Sequence, residues 1–206
     1  MFTDIPPRRA SLLGEYLASD QHVGLNVPQD ERLRTRAMAI EVVMESGKPP
    51  AMLYACREFL AVASDFYKVQ RPELRVLAAR PLRVREGGGS VELFGDYNPN
   101  TTLIRVWTRT AVRKRITSFG TFFSTLCHEF CHHLDFYKFA YRSSPHTRGF
   151  YQRAAALYHH ARGTPVRRLV WLKMPRGCWR IDWRRMKRDA TPRLLPLASA
   201  PETQLW

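Results

Sequence analysis

The chain has 206 residues, of which 45% are hydrophobic, so it can bury one substantial core but hardly two full domains. Its first residues lack the apolar stretch of a signal peptide, and no run approaches the roughly 20 apolar residues that span a bilayer. These features argue against secreted and membrane-spanning classes, and we expect a cytoplasmic protein without a membrane partner. The net charge of +15 favours a polyanionic partner.

The N-terminal third of the chain predicts one irregular segment followed by two helices. Residues 1–30 form a proline-punctuated leader that we expect to be partly disordered, with a short helix at 12–17. A helix is predicted at about 30–46, and the next begins at Pro50, because proline is favoured in the first helical turn. These two helices are expected to pack behind a small sheet.

The following segment predicts that sheet. Residues 74–84 are rich in strand formers, with Pro81 indicating an edge or a bulge. Residues 90–94 and 102–108 are predicted to form two strands joined by the turn sequence at 95–100. The predicted hairpin leads into the helix that carries the most informative motif of the chain.

That helix contains the motif His128-Glu129-Phe130-Cys131-His132. On a helix, positions i and i+4 lie one turn apart on the same face, so both histidines can direct a nitrogen at one zinc ion. Glu129 then stands beside them, where it can accept a proton from zinc-bound water. The spacing predicts a catalytic zinc site with Glu129 as the general base.

Two cysteines, Cys127 and Cys131, lie one turn apart on the apolar side of the same helix. The four cysteines of the chain show no disulfide-framework spacing, so we expect them to be reduced core residues. Zinc binding by Cys127 and Cys131 is an alternative, in which His128 and His132 point elsewhere.

A catalytic zinc site needs a third protein ligand and an open position for water. The candidates after the motif are Asp135, His133, His146, His159 and His160. His146 is the best placed, since it lies in a loop just before the next predicted helix. His159 and His160 fall in the last turn of that helix, where capping or surface roles are expected. Asp135 shares the ligand face, so it either orients one of the motif histidines or replaces His146 as ligand.

The motif, followed by a third histidine close to a glycine and an aromatic residue, resembles the SprT-like metallopeptidase domain. The resemblance implies an α+β, zincin-like fold, in which a small sheet with a hairpin packs on helices and the motif lies on the active helix. It implies Glu129 as the general base. It implies three zinc ligands, His128, His132 and His146. SprT-like domains are related to Spartan-type proteases, which degrade proteins crosslinked to DNA.

The resemblance covers residues 31–163, the predicted domain, and two features depart from the family's pattern. Thr147 and Arg148 follow His146 here, whereas a glycine follows the third histidine directly in the commonest family pattern. The chain also lacks the paired CxxC motifs of the zinc ribbon that many bacterial members carry. We therefore expect no second metal site.

Residues 164–206 form a basic extension after the last predicted helix, which ends at Gly163. Between positions 164 and 193 it has ten Lys and Arg residues against two Asp residues. Three tryptophans are interleaved with these cations, Trp171, Trp179 and Trp183. Cations bind phosphates and aromatic rings stack on bases, so this composition is typical of nucleic-acid binding, and we expect DNA as the partner. The alternative is that the tryptophans cover the core and the cations form a solvated face.

These features predict a zinc-dependent metallopeptidase that hydrolyses peptide bonds in nucleic-acid-associated proteins. An extended substrate is expected to pair with an edge strand, for which residues 102–107 are the candidate. The candidates for stabilising the oxyanion are Tyr137, Tyr141, Arg148 and Tyr151. The alternative is a non-enzymatic nucleic-acid-binding protein with a structural zinc site. Glu129 favours the enzyme, because a structural site needs no general base and is usually closed by a fourth protein ligand.

Overall fold

A computed structural model describes residues 1–46, 49–84 and 89–188 of the chain. Within these residues there are six α-helices, one 3₁₀ turn at Pro175–Gly177 and seven β-strands. The helices are α1 Ala10–Gln21, α2 Arg32–Ser46, α3 Pro49–Tyr67, α4 Phe119–Tyr137, α5 Arg148–Arg162 and α6 Trp183–Arg188. The strands are β1 Glu73–Ala79, β2 Leu82–Val84, β3 Ser90–Glu92, β4 Gly95–Asn98, β5 Leu103–Arg109, β6 Trp171–Lys173 and β7 Trp179–Ile181. The protein thus has the α+β architecture that the sequence predicts.

The main sheet of the described residues has three strands in the order β1-β5-β4. β1 runs parallel to β5, with Val76 opposite Val106, and β4 runs antiparallel to β5, with Tyr97 opposite Ile104. α3 packs against β1, and α4 packs against β4 and β5. β5 is therefore the central strand, and β4 is the edge strand beside α4.

The structure corrects the predicted hairpin. β3 pairs with β2 rather than with β5, and Glu92 lies opposite Leu82. The segment at 95–98, predicted as a turn, is strand β4. Its Gly, Asp and Asn residues have low strand propensity, but pairing with β5 and a hydrogen bond of 2.9 Å between the Tyr97 hydroxyl and His133 Nδ1 hold it extended. Residues 102–107, predicted as the edge strand for a substrate, fall largely in central strand β5, so that position belongs to β4.

Helices α2, α3 and α5 have ends close to the predicted positions, and local capping signals set the ends of α4 and α5. The Ser118 hydroxyl accepts a hydrogen bond from the Thr121 N–H at 3.3 Å and starts α4. The Thr147 hydroxyl accepts one from the Phe150 N–H at 3.1 Å and starts α5. α5 stops at Gly163, whose φ of 61° lies in the left-handed region. Thr147, one of the two residues that depart from the family pattern, is thus the cap that begins α5.

The main core lies between α2, α3, α4, α5 and one face of the sheet. Phe59, Phe123 and Phe130 are fully buried in it, and the rings of Phe59 and Phe123 meet edge to face at 5.0 Å. Each such side chain contributes about 1.5–3 kcal/mol through removal of apolar surface from water. Cys127 and Cys131 are free and buried in the same core, as predicted.

The first 30 residues differ from the partly disordered leader that the sequence predicts. They include α1, which is longer than the predicted helix and contacts α5. Tyr16, Ser19 and Asp20 are buried. A Cβ atom at Gly149 would lie 2.1 Å from the Ser19 carbonyl oxygen, so glycine is required for α5 to begin this close to the end of α1.

The C-terminal residues 164–188 contain the β6–β7 hairpin, in which Leu172 lies opposite Arg180. The N-terminal segment continues this hairpin, because the Thr3 N–H donates to the Trp179 carbonyl at 2.8 Å and the Ile181 N–H donates to the Met1 carbonyl at 3.2 Å. The rest of the predicted basic extension, residues 189–206, lies outside the described residues. None of the helices described has the length and apolar character needed to cross a membrane.

Candidate metal centre

Three imidazoles converge at the C-terminal half of α4. The Nε2 atoms of His128 and His132 lie 3.2 Å apart, and His146 Nε2 lies 3.0 Å from the first and 3.1 Å from the second. His128 and His132 come from successive turns of α4, and His146 comes from the loop between α4 and α5. The three ring nitrogens form a group that could hold one metal ion, with each side chain partly exposed.

The spacing of these nitrogens fits a tetrahedral metal ion. Three ligands at about 2.0–2.1 Å from zinc in tetrahedral geometry have nitrogens about 3.3 Å apart, close to the separations found here. Burial, reinforced by His146, lowers the pKa of His128 to about 3, and burial lowers the pKa of His132 well below its usual range. Both rings are therefore neutral at pH 7, as metal-ligating imidazoles must be.

A chain of polar contacts orients His132 through its Nδ1 atom, on the side of the ring away from the other two histidines. Its Nδ1 lies 2.7 Å from the Ser144 hydroxyl, which donates to Asp135 Oδ2 at 3.1 Å. Since the hydroxyl proton goes to the carboxylate, the oxygen accepts from His132 Nδ1–H, and this leaves the Nε2 lone pair facing the other two histidines. Asp135 therefore supports His132 through Ser144 and lies outside the group of ligating atoms.

The same carboxylate belongs to a buried ion pair. Arg153 Nη2 donates to Asp135 Oδ1 at 2.8 Å, and both side chains are almost completely buried. Burial raises the pKa of Asp135 to about 6, although Arg153 and the hydrogen bond from Ser144 act in the opposite direction. Arg153 Nη1 also donates to the Ser19 carbonyl at 3.1 Å, so the end of α1 is joined to the support of His132.

His146 is oriented by Asp4, a residue that the sequence did not indicate. The His146 N–H donates to Asp4 Oδ2 at 2.8 Å, and the Asp4 N–H donates to the His146 carbonyl at 2.8 Å. The same carboxylate oxygen lies 3.6 Å from His146 Nδ1, which favours a proton on Nδ1 and a free lone pair on Nε2. Burial opposes ionisation of Asp4, but the contacts with His146 outweigh it and lower the pKa of the carboxyl.

Phe150 forms the floor of the metal-binding group. Its ring is fully buried and lies 4.4 Å from His132, 4.8 Å from His128 and 5.2 Å from His146, measured between ring centroids. Phe150 occupies the first turn of α5, three residues after the cap Thr147. One buried aromatic ring thus holds all three imidazoles against the core.

Glu129 is only 5% exposed and lies between the two motif histidines in sequence. Burial raises the pKa of its carboxyl to about 8, and the nearby Asp96 carboxylate adds to this effect. Within the described residues the Glu129 carboxyl makes no hydrogen bond. A Cβ atom at Gly95 would lie 2.7 Å from Glu129 Oε1 and 2.6 Å from Thr125 Cγ2, so glycine lets edge strand β4 pass directly over the carboxylate.

Two clefts open on either side of the three histidines, with volumes of about 780 Å³ and about 470 Å³. Gly95, His128, Glu129 and His146 line both of them. The clefts therefore meet at the metal-binding group and form a single groove beside β4. An extended chain lying in this groove would cross the three histidines.

Of the four residues proposed to stabilise an oxyanion, Tyr151 is the one that lines the larger cleft. Its ring centroid lies 5.9 Å from that of His128 and 5.8 Å from that of His146. Burial raises the pKa of Tyr151, so its hydroxyl stays protonated, and it donates to the Phe2 carbonyl at 2.9 Å.

The three other oxyanion candidates do not line the larger cleft, and each contacts other side chains. Arg148 pairs with Asp20 and lies over the Trp179 ring. Tyr137 packs on His133, with 4.7 Å between ring centroids. The Tyr141 hydroxyl donates to the Ala18 carbonyl at 3.4 Å and meets His22 Nδ1.

Two further candidate ligands, His133 and His159, have structural partners, whereas His160 Nε2 is buried without a hydrogen-bond partner among the described residues and lies outside the group of three. His133 is fully buried. Its Nε2 lies 2.8 Å from the Gln70 carbonyl oxygen, and its Nδ1 lies 2.9 Å from the Tyr97 hydroxyl, so the ring links α4 to β4. His159 Nδ1 meets the Thr164 hydroxyl at 2.8 Å, just beyond the end of α5. Neither ring belongs to the metal-binding group.

Comparisons with known protein families, with curated proteins and with solved structures find no match to this chain. The SprT-like resemblance therefore stays a prediction that rests on the motif at 128–132 and on His146, Gly149 and Phe150. The functional interpretation depends on how the described residues are arranged around the three histidines.

Proposed function

We propose that the protein is a zinc-dependent metallopeptidase of the SprT-like, zincin type, which hydrolyses peptide bonds with Glu129 as the general base. The observation that carries this proposal is the convergence of three imidazole Nε2 atoms beside the Glu129 carboxylate on the floor of an open groove. In the part of the chain that the structure describes, no fourth His, Cys, Asp or Glu joins this group. Catalytic zinc sites typically have three protein ligands and one coordination position open to water or substrate.

The donor set supports zinc as the metal. His128, His132 and His146 supply three imidazole nitrogens at tetrahedral separations, a set that suits zinc better than oxygen-seeking ions such as magnesium or calcium. When bound, zinc lowers the pKa of a coordinated water towards 7 and polarises a substrate carbonyl.

The chain's own residues supply the remaining functions. Glu129 accepts the proton of the attacking water at its carboxylate and passes it to the leaving amine, since its side chain lines the groove together with His128 and His146. Edge strand β4 offers its free backbone groups to an extended substrate. Tyr151 is the candidate donor to the developing oxyanion, because its side chain lines the groove; its single hydroxyl proton would have to turn from the Phe2 carbonyl to the oxyanion.

The C-terminal residues support nucleic acid as a partner. Seven of their cations are exposed and have no ion-pair partner among the described residues, namely Arg167, Arg168, Lys173, Arg176, Arg180, Arg184 and Arg185. Trp183 is 48% exposed beside Arg184, as expected of a ring on which a base stacks. Trp171 packs against Tyr151, and the Arg148 guanidinium lies over the Trp179 ring, so these two tryptophans pack within the protein. We propose that the exposed surface brings the metal centre to proteins on DNA.

The alternative, a nucleic-acid-binding protein with a structural zinc, predicts a closed site with a fourth protein ligand. The open groove at His128 and the buried carboxylate of Glu129 favour the peptidase.

The deciding experiment is cleavage of a DNA-bound protein by the wild type and by Glu129→Gln at matched zinc content, with and without DNA. We expect cleavage by the wild type alone and faster cleavage when DNA is present. Equal inactivity of the two proteins, with zinc bound to both, would favour the binding protein. DNA affinity that does not change between low and physiological salt would remove the nucleic-acid part of the proposal.

A further inference from the structure

The larger cleft beside His128 has an apolar wall built from distant parts of the chain. Ala155 and Tyr158 of α5 contribute one part of this wall. Leu169, Ile181, Trp183 and Met186 of the C-terminal residues contribute the other part. Leu169 and Ile181 are buried at its base, whereas Trp183 is exposed at its rim. The C-terminal residues that carry the basic surface therefore also line the groove at the metal centre.

The two clefts differ in character on the two sides of the histidines. The smaller cleft combines charged and hydroxyl side chains, including Asp4, Asp96, Arg142 and Ser144, with Tyr97, Pro99 and Phe136. The larger cleft has Thr121, Ser124 and Thr125 of α4 on one side and the apolar wall on the other. A polypeptide that crosses the metal centre would thus meet a larger and more apolar lining on one side of the reacting bond than on the other.

We propose that the larger cleft is a specificity pocket that binds one large apolar side chain, such as leucine, methionine or phenylalanine, next to the cleaved bond of a polypeptide. This inference rests on the proposed function, because the metal centre places the backbone of the bound chain. His128, Glu129 and His146 line the same cleft as the wall, so a side chain beside the reacting bond enters the space that the wall borders. Its volume of about 780 Å³ accommodates such a side chain together with the adjoining backbone.

The position of the wall also explains why Leu169, Ile181 and Met186 are apolar within a strongly basic segment. Removal of apolar surface from water stabilises both the packed wall and the bound side chain. Burial of a leucine side chain is expected to tighten binding by about 10-fold or more over serine. The C-terminal residues would then hold a phosphate backbone on their exposed face and a substrate side chain on their inner face.

The test uses two matched variants of neighbouring alanines on α5. Ala155 lines the larger cleft, whereas Ala156 lines a separate cleft on another face of the helix. The full chain with Glu129→Gln and bound zinc is titrated with a labelled nine-residue peptide of glycine and serine that has leucine at its centre, and with the same peptide bearing a central serine. We expect a preference of about 10-fold for leucine, a loss of that preference in Ala155→Phe, and its retention in Ala156→Phe.

A second variant covers the case in which Ala155→Phe does not fold. Trp183→Ser removes the rim at an exposed position, so folding is retained and the preference for leucine is expected to fall about threefold. Equal affinity for the two peptides, or a preference that survives both Ala155→Phe and Trp183→Ser, would overturn the proposal. A wild-type dimer that Ala155→Phe converts to a monomer would assign the wall to a second copy of the chain and would also overturn it.

Failure of the pocket and failure of the peptidase have different signatures. Cleavage of a random peptide library by the wild type, with no apolar preference at any position, keeps the peptidase and removes the pocket. A leucine preference in binding without any cleavage keeps the pocket and removes the peptidase. Cleavage with a large apolar residue at one constant position supports both.

Discussion

Asp4 accepts a hydrogen bond from the backbone N–H of His146 at 2.8 Å, although 142 positions separate the two residues. The Asp4 N–H returns a second hydrogen bond to the His146 carbonyl at 2.8 Å. The N-terminal segment is therefore part of the metal centre, because it holds the backbone of the third histidine and places a carboxylate oxygen 3.6 Å from its Nδ1.

This relationship predicts that Asp4→Ala weakens zinc binding. Loss of a carboxylate that orients a ligating histidine typically lowers metal affinity by about 10–100-fold, and we expect a decrease in that range. The measurement is a zinc titration against a competing chelator. Asp30→Ala is the matched control, since Asp30 is exposed and pairs with Arg32 far from the histidines in sequence. Equal zinc affinities of the two variants would contradict a positioning role for Asp4.

Ser144→Ala should weaken zinc binding by breaking the contact between Ser144 and His132 Nδ1. The imidazole then loses the partner that selects its tautomer, and we expect about a 10-fold decrease in zinc affinity. Ser143→Ala is the control at the neighbouring position, because the Ser143 hydroxyl donates to Glu15 and not to a histidine. A larger loss of affinity in Ser143→Ala than in Ser144→Ala would show that the loop, rather than the tautomer, controls the site.

Asp135→Ala should destabilise the fold strongly. It leaves the Arg153 guanidinium buried without its carboxylate partner, and breaking a buried ion pair in this way costs about 3–5 kcal/mol. The free energy of unfolding in urea is the measurement. Asp65→Ala breaks the exposed pair with Arg71 and is expected to cost about 0–1 kcal/mol. Recovery of stability in the double variant Asp135→Leu with Arg153→Met would confirm that the unpaired charge is the cause.

Gly95→Ala should impair turnover while zinc stays bound. The added Cβ atom would lie 2.7 Å from Glu129 Oε1, so either β4 or the carboxylate must move, and we expect a loss of activity of about 10-fold or more. Steady-state cleavage at matched zinc content measures the effect. Gly24→Ala is the control, because, its two chain neighbours aside, no heavy atom lies within 4 Å of its added Cβ. Full activity of Gly95→Ala would show that the spacing between β4 and Glu129 is not required.

Much of the site could be predicted from local sequence pattern. The apolar periodicity of residues 119–134 places the motif on a helix, and an i, i+4 spacing on any helix brings His128 and His132 to one face. The bounds of α5 also follow from local signals, with Thr147 as the N-terminal cap and Gly163 at the end. These features depend on contacts within a few residues, which a sequence displays directly.

The sheet could not be predicted in the same way. The segment 95–98 has the composition of a turn, and its strand conformation depends on pairing with β5 and on the contact of Tyr97 with His133. The strand formers at 103–109 consequently lie in the centre of the sheet, and β4 lies at its edge. Strand order depends on which elements pack together, and propensity does not encode it.

The sequence by itself determined helices α2 to α5, the paired motif histidines with Glu129, and a strongly basic C-terminal segment. Only the tertiary structure decided that His146, among five candidates, joins the motif histidines, and that Asp4, Asp135 and Phe150 support them. The reason is physical. Residues one helical turn apart meet whatever the rest of the chain does, whereas residues separated by many turns meet only when the core packs and brings their backbones together.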